Sequence, residues 1–138
     1  MAERLEGKTI LMVDDDEEII SAMQLALADT GAAIHTARDG NTGLDKAGKL
    51  NPDLIILDIM LPQRSGFLVL EKLQPKKQKG RRPYVIMITG NEGKRHEAYA
   101  KAMGVDEYLN KPFRMDRLIK SVETLLGTPS GDAAPVSR

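Results

Sequence analysis

Three short apolar runs in this chain each stop dead at a polar residue, and helical patterns fill the intervals between runs from end to end. Ile10-Leu11-Met12-Val13 runs into Asp14, Asp15 and Asp16, Leu54-Ile55-Ile56-Leu57 into Asp58, and Val85-Ile86-Met87-Ile88 into Thr89. A shorter run, Tyr108-Leu109, precedes Asn110 and a Lys111-Pro112 pair. Runs of four apolar residues without alternation read as strands buried on both faces, the habit of parallel sheets. Parallel neighbours need crossover connections, and helices are the usual ones.

The elements follow from this pattern. Strands are expected at Thr9 to Val13, Ala33 to Ala37, Leu54 to Asp58, Tyr84 to Thr89 and Glu107 to Leu109. Ile19, Ile20, Met23 and Leu27 recur at helical spacing, and Gly31 stops that helix. A second helix spans about Asn41 to Leu50 and ends at Asn51-Pro52. Phe67, Leu70 and Leu73 support a short third one after the Pro62 and Gly66 turn signals. The fourth, about Arg95 to Met103, has only Ala98, Ala102 and Met103 for an apolar side. Met115, Leu118, Ile119, Val122, Leu125 and Leu126 make the strongest amphipathic stripe. Five strands and five helices in strict alternation, joined by right-handed crossovers, predict an α/β, doubly wound parallel sheet with helices on both faces.

Composition narrows the function classes. The 138 residues suit one domain with a real core, and 41% hydrophobic with 29% charged residues fits a globular chain. The formal net charge of +0 gives no bulk attraction to nucleic acid or anionic lipid. With no cysteine, thiolate metal sites, disulfides and cysteine nucleophiles are excluded. The first residues lack a signal-peptide stretch, and no run is long enough for a membrane span, so a cytoplasmic setting is expected. Residues 1–127 are read as one domain and 128–138, rich in Gly, Pro, Ser and Ala, as a flexible tail or the start of a linker. The basic stretch Lys76 to Arg82 is expected to be a solvated surface loop.

In an open α/β sheet the C-terminal strand ends form the rim where ligands bind. That rim would hold Asp14, Asp15, Asp58, Thr89 and Lys111 together. Magnesium prefers oxygen ligands and takes one or two carboxylates plus phosphate oxygens. Clustered carboxylates repel, which raises at least one pKa unless a cation is near. A carboxylate can attack phosphorus to give an acyl phosphate, with positioned cations and donors stabilising the loose transition state. Asp58 is the expected nucleophile, Lys111 the fixed charge and Thr89 the hydroxyl donor. Asp16, ahead of Glu17-Glu18-Ile19-Ile20, is expected to cap the first helix.

Val13-Asp14-Asp15, Leu57-Asp58-Ile59-Met60-Leu61-Pro62, Ile88-Thr89-Gly90 and Tyr108-Leu109-Asn110-Lys111-Pro112-Phe113 resemble, in this order, the motifs of bacterial two-component response-regulator receiver domains of the chemotaxis type, stand-alone or truncated. The likeness runs from about Lys8 to Leu126. It implies a flavodoxin-like strand order of 2-1-3-4-5 and phosphorylation of Asp58 by a sensor histidine kinase or phosphotransfer protein. It also implies magnesium held by Asp15, Asp58 and the Met60 carbonyl, with Asp14 acting through a bound water. Lys111 would pair with the phosphoryl group, Thr89 would bond to it, and Tyr108 would be the switch aromatic that turns inward. The Lys111-Pro112 bond would be cis. Met60 and Asn91 occupy positions that in such domains vary with phosphoryl lifetime. The receiver would catalyse its own phosphorylation and dephosphorylation without being an enzyme in the ordinary sense. The output would be a downstream protein target or a missing output domain, read from the fourth helix, last strand and last helix, with no direct nucleic acid or membrane binding by this domain.

Two other readings share some chemistry. A haloacid-dehalogenase-like phosphatase also forms an aspartyl phosphate, but its Asp-x-Asp-x-Thr/Val signature meets Glu18 at the last position. A flavodoxin-type cofactor-binding module would want a Gly/Ser/Thr-rich first loop, where this chain has Asp14-Asp15-Asp16-Glu17.

Overall fold

The computed structural model describes residues 5–75, 77–90 and 94–127. Its elements run β1 (Thr9–Val13), α1 (Glu17–Leu27), a 3-10 turn (Ala28–Thr30), β2 (Ala33–Ala37), α2 (Gly40–Leu50), β3 (Leu54–Asp58), α3 (Gly66–Leu73), β4 (Tyr84–Thr89), α4 (Lys94–Ala102), β5 (Glu107–Asn110) and α5 (Met115–Leu126). The sheet is five-stranded and parallel in the order β2-β1-β3-β4-β5, as the resemblance implied. β1 to β4 have the predicted bounds, and β5 runs one residue further, to Asn110.

Local signals explain the helix ends. Asp16 accepts from the Glu18 and Ile19 N–H groups and caps α1, and Gly31, at φ +90°, ends the turn that follows. Asp39 caps α2 through Thr42 N–H, and Ser65 caps α3 through Leu68 N–H.

Side-chain parity inside the continuous apolar runs sorts the core into two layers. Ile10, Met12, Leu54, Ile56, Ile86, Ile88 and Leu109 face α1 and α5, meeting Ile20, Met23, Leu27, Leu118, Val122 and Leu126. Leu11, Val13, Ile55, Leu57, Val85 and Met87 face α2, α3 and α4, meeting Ala47, Val69, Leu70 and Ala100. Each fully buried aliphatic contributes about 1.5–3 kcal/mol of transfer free energy, which is why a sheet covered on both faces holds. No helix among the described residues is long and apolar enough to cross a membrane.

Two expectations are corrected. Ala98 and Ala102 of α4 point to solvent, and Ala100 is the buried residue, with His96 and Met103 half-buried beside it. An all-alanine stripe carries too little apolar area to fix a helix face from sequence. The basic stretch after α3 is not simply solvated either. Lys77 is buried, its Nζ 3.0 Å from Asp106 Oδ2, and Arg82 Nη1 donates to Asp53 Oδ1 at 2.7 Å. Lys76 lies outside the described residues.

Candidate functional site

The register sets the C-terminal strand ends level with one another. Val13 pairs with Leu57, Asp58 with Ile88, and Thr89 with Asn110, so the residues just past β1 and β5 meet the ends of β3 and β4. Asp14, Asp15 and Asp58 each offer a carboxylate oxygen, and these oxygens lie within 4.8 Å of one another. Asp14 and Asp58 are buried, while Asp15 is exposed. Lys111 reaches in from the end of β5. Its Nζ lies 3.0 Å from Asp14 Oδ2 and 3.3 Å from Asp58 Oδ2. The Lys111 N–H donates to the Thr89 carbonyl at 2.7 Å, tying the lysine segment to the end of β4. The Lys111–Pro112 peptide is cis.

The electrostatics follow from this crowding. Burial first, then the Asp14 charge, push the Asp58 pKa up to about 6, against the opposing pull of Lys111 and of the Met60 N–H. Burial draws the Lys111 ammonium down, but its bonds and attraction to Asp14 and Asp58 outweigh that, and its pKa is raised. Among the described residues, the Lys111 ammonium thus touches two of the three clustered carboxylates, Asp14 and Asp58. That donor set of oxygens with unbalanced negative charge fits a hard divalent cation such as magnesium.

The other expected residues are placed as follows. Thr89 is wholly buried at the end of β4. Tyr108 is half-buried on β5, its enclosed hydroxyl has no hydrogen-bond partner among the described residues, and burial and the neighbouring Glu97 raise its pKa. Met60 is 58% exposed beside Asp58, and its N–H donates to Asp58 Oδ1 at 3.2 Å. Asn91 lies outside the described residues. A Cβ at Gly90 would meet nothing within 4 Å among the described residues, so their packing does not demand a glycine there. Two contributors were not legible beforehand. The Asp16 N–H donates to Asp14 Oδ1 at 2.9 Å, so the helix cap also orients an acid of the site. Glu97 beside Tyr108 had no signal, since an acid on a polar helix is ordinary.

A family model described as the response regulator receiver domain matches residues 10–123. The chain belongs to the response-regulator receiver family. It is therefore a phospho-accepting switch of two-component signalling, a signalling domain rather than a classical enzyme. The family match favours neither the phosphatase nor the flavodoxin reading. The alkaline phosphatase synthesis transcriptional regulatory protein PhoP of Bacillus subtilis (strain 168) is 37% identical over 131 residues, 95% of this chain and 53% of that protein. Response regulator MprA of Mycobacterium sp. (strain KMS) is 30% identical over 128 residues, 93% of this chain and 54% of that protein. The chain spans about half the length of these curated relatives. Among solved structures, the receiver domain of the putative LuxO repressor protein from Vibrio parahaemolyticus aligns with a TM-score of 0.78 at 27% identity, covering 86% of this chain and 89% of that one.

Proposed function

We propose that Asp58 is the phosphoacceptor of this receiver. The observation that carries this is the meeting of three carboxylates and one ammonium at level strand ends, with Asp58 buried among them. A carboxylate oxygen of Asp58 bonds to phosphorus as the donor's bond to phosphorus breaks, and the electron pair leaves with the donor. A phosphohistidine of a sensor kinase or phosphotransfer protein is the donor. Lys111, held by Asp14 before the phosphoryl group arrives, pairs with the incoming phosphoryl oxygens. Thr89 donates its hydroxyl to one of them. Asp15, Asp58 and the Met60 carbonyl would hold magnesium, with Asp14 acting through a bound water, and the ion would supply positive charge that offsets the charge of the phosphoryl group. Hydrolysis of the acyl phosphate by the same site resets the switch.

The phosphoryl group adds about −2 in charge beside Thr89, and Tyr108 follows the space that Thr89 vacates. α4, β5 and α5 then present a changed face. The relatives, twice as long and named as transcriptional regulators or response regulators, support an output domain as the reader of that face. The chemotaxis-type, stand-alone arrangement would read it through a separate protein instead. The receiver is read over residues 1–127; residues 128–138, read as a tail or linker, lie outside the described residues, and the setting is the cytoplasm.

Acetyl phosphate with magnesium should add one phosphoryl group to the intact mass, and Asp58→Asn should abolish the gain. Undiminished labelling in that variant, or labelling without a divalent ion, rejects the assignment. Thr89→Ala should still be labelled, while amide shifts over 107–126 on phosphorylation shrink. A full wild-type shift pattern in that variant rejects the route through Thr89.

A further inference from the structure

The segment 59–65, between β3 and α3, is cinched at its base and held at its tip by different parts of the chain. At the base, the Ile59 N–H donates to the Ile88 carbonyl at 2.9 Å, and the Gly66 N–H to the Ile59 carbonyl at 2.8 Å. Gly66 is required there, since a Cβ would stand 2.2 Å from the Asp58 carbonyl oxygen. Inside the loop, the Arg64 N–H donates to the Pro62 carbonyl at 2.7 Å, and Gln63 sits at φ +71°, in the left-handed region that a non-glycine residue enters at a cost. The loop also sets its neighbour. Through its N–H, Met60 holds Asp58 Oδ1, so the path of this backbone decides where one acceptor oxygen points.

The tip rests on the first turn of α2. The Gly40 N–H donates to the Pro62 carbonyl at 3.1 Å, and a Cβ at Gly40 would stand 2.0 Å from the Arg64 carbonyl oxygen, so only glycine allows this approach. The Asn41 side chain closes the contact from both ends of its carboxamide. Its Nδ2 donates to Gln63 Oε1 at 2.8 Å, and its Oδ1 accepts from Arg64 Nε at 2.9 Å. The cap of α2 is made by Asp39, through Thr42 N–H and Oγ1.

We propose that Asn41 is a positioning residue for the acceptor site. It grips Gln63 and Arg64 so that the loop keeps the backbone path that aims Asp58 and the Met60 carbonyl. The grip holds Gln63 in a conformation it would otherwise leave. The inference rests on the reading of Asp58 as acceptor and of the Met60 carbonyl as an ion ligand. Both Asn41 bonds are solvent-exposed, so each is worth little to global stability. Their loss spreads the loop over more conformations, and the effect falls on ion binding and labelling.

The test compares wild type with Asn41→Ala and Asp39→Ala in the full chain. Magnesium affinity is measured by calorimetry, acetyl phosphate labelling by intact mass, and melting temperature alongside. Asn41→Ala should weaken magnesium binding roughly three- to tenfold, the scale of losing one or two exposed hydrogen bonds. Its labelling should slow by a similar factor at low magnesium and recover towards wild type when the ion saturates, with little change in melting temperature. Asp39→Ala, which removes the helix cap without touching the loop, should lower the melting temperature and leave magnesium affinity near wild type. Wild-type magnesium affinity in Asn41→Ala overturns the proposal, and so does an equal loss in Asp39→Ala, which would make the effect one of helix stability. If Asp58→Asn is still labelled, the acceptor reading itself fails, whatever Asn41 does.

Discussion

At the residue scale, the chemistry turns on the burial of Asp58 beside a second acid. Burial and the Asp14 charge raise its pKa from 3.8 to about 6. Between those values the folded chain keeps a proton that the unfolded chain has released, so this group's contribution to stability falls as pH rises through that window. Asp58→Asn removes the titration. In metal-free buffer the variant should gain on wild type between pH 4 and 7, by up to about 3 kcal/mol, since a tenfold change in proton affinity is worth about 1.36 kcal/mol. Urea midpoints at several pH values measure it, and a gain that does not change with pH would show that charge at Asp58 is not the cause. Met60 is the second residue to test. Exposed and apolar, it can cover the acceptor but cannot order water by a side-chain hydrogen bond. Met60→Asn should shorten the life of the phospho-aspartate after donor removal, with magnesium affinity little changed. An equal or longer life would show that Met60 is no cover.

At the scale of elements, the segment after α3 is bound to the turn after α4 by buried charge. Lys77 Nζ and Asp106 Oδ2 are 3.0 Å apart, and both side chains are 1% exposed. Asp106 also accepts from the Val85 N–H at 2.8 Å and from the Gly80 N–H, so one carboxylate organises the start of β4, the loop before it and the turn before β5. Gly104, at φ +88°, lets the backbone of that turn approach the Lys77 carbonyl, where a Cβ would stand 2.1 Å from the oxygen. The two partners are not equivalent. Lys77→Met leaves Asp106 with two N–H donors and should cost about 1–2 kcal/mol. Asp106→Ala removes the counter-charge of the buried Lys77 ammonium, which still donates to the Gln78 carbonyl at 2.6 Å, and the acceptor of two N–H groups. That loss should cost about 3–5 kcal/mol. Urea unfolding of the two variants measures both, and equal losses would show that the backbone bonds to Asp106 carry little. The C-terminal end of α4 is thereby anchored, while its exposed Tyr99 meets α3 only edge-on to Phe67, with ring centres 4.7 Å apart.

At the scale of the whole molecule, the two edges of the sheet treat acids in opposite ways. At the N-terminal edge, Asp53 is satisfied by the Thr9 N–H at 2.8 Å and by Arg82, and Asp106 by Lys77 and backbone. At the C-terminal edge, three carboxylates cluster and Lys111 touches two of them, Asp14 and Asp58. The fold thus concentrates unbalanced charge on one rim, and a cation that binds only the folded chain stabilises all of it. Magnesium should raise the free energy of urea unfolding at pH 7 by about 2.7 kcal/mol at a hundredfold excess over Kd, and a chelator should reverse it. Asp15→Asn, which removes the exposed acid and leaves the buried pair in place, should blunt the gain. A full gain in both Asp15→Asn and Asp58→Asn would place the stabilising ion elsewhere.

The alternation of apolar runs with helical patterns was sufficient to read the strands, the helices and the rim on which Asp14, Asp15, Asp58, Thr89 and Lys111 gather. These signals are local: the period of a strand or helix is written in neighbouring residues, and level parallel strands bring their C-terminal ends together. The α4 face escaped that reading because Ala98, Ala100 and Ala102 differ too little in apolar area for periodicity to choose among them. The partners of charged residues away from that rim were decided by the tertiary structure. Asp53 and Asp106, each just ahead of a strand, give no sign in sequence that Arg82 and the Thr9 N–H will take up one and Lys77 the other, whereas Asp58, at a strand's C-terminal end, was legible as a site acid. Lys77 in a basic stretch and Asn41 at a helix start are likewise ordinary until the chain closes. Whether a charge or a carboxamide finds a partner depends on distance, direction and the removal of water, and those exist only once segments remote in sequence have packed.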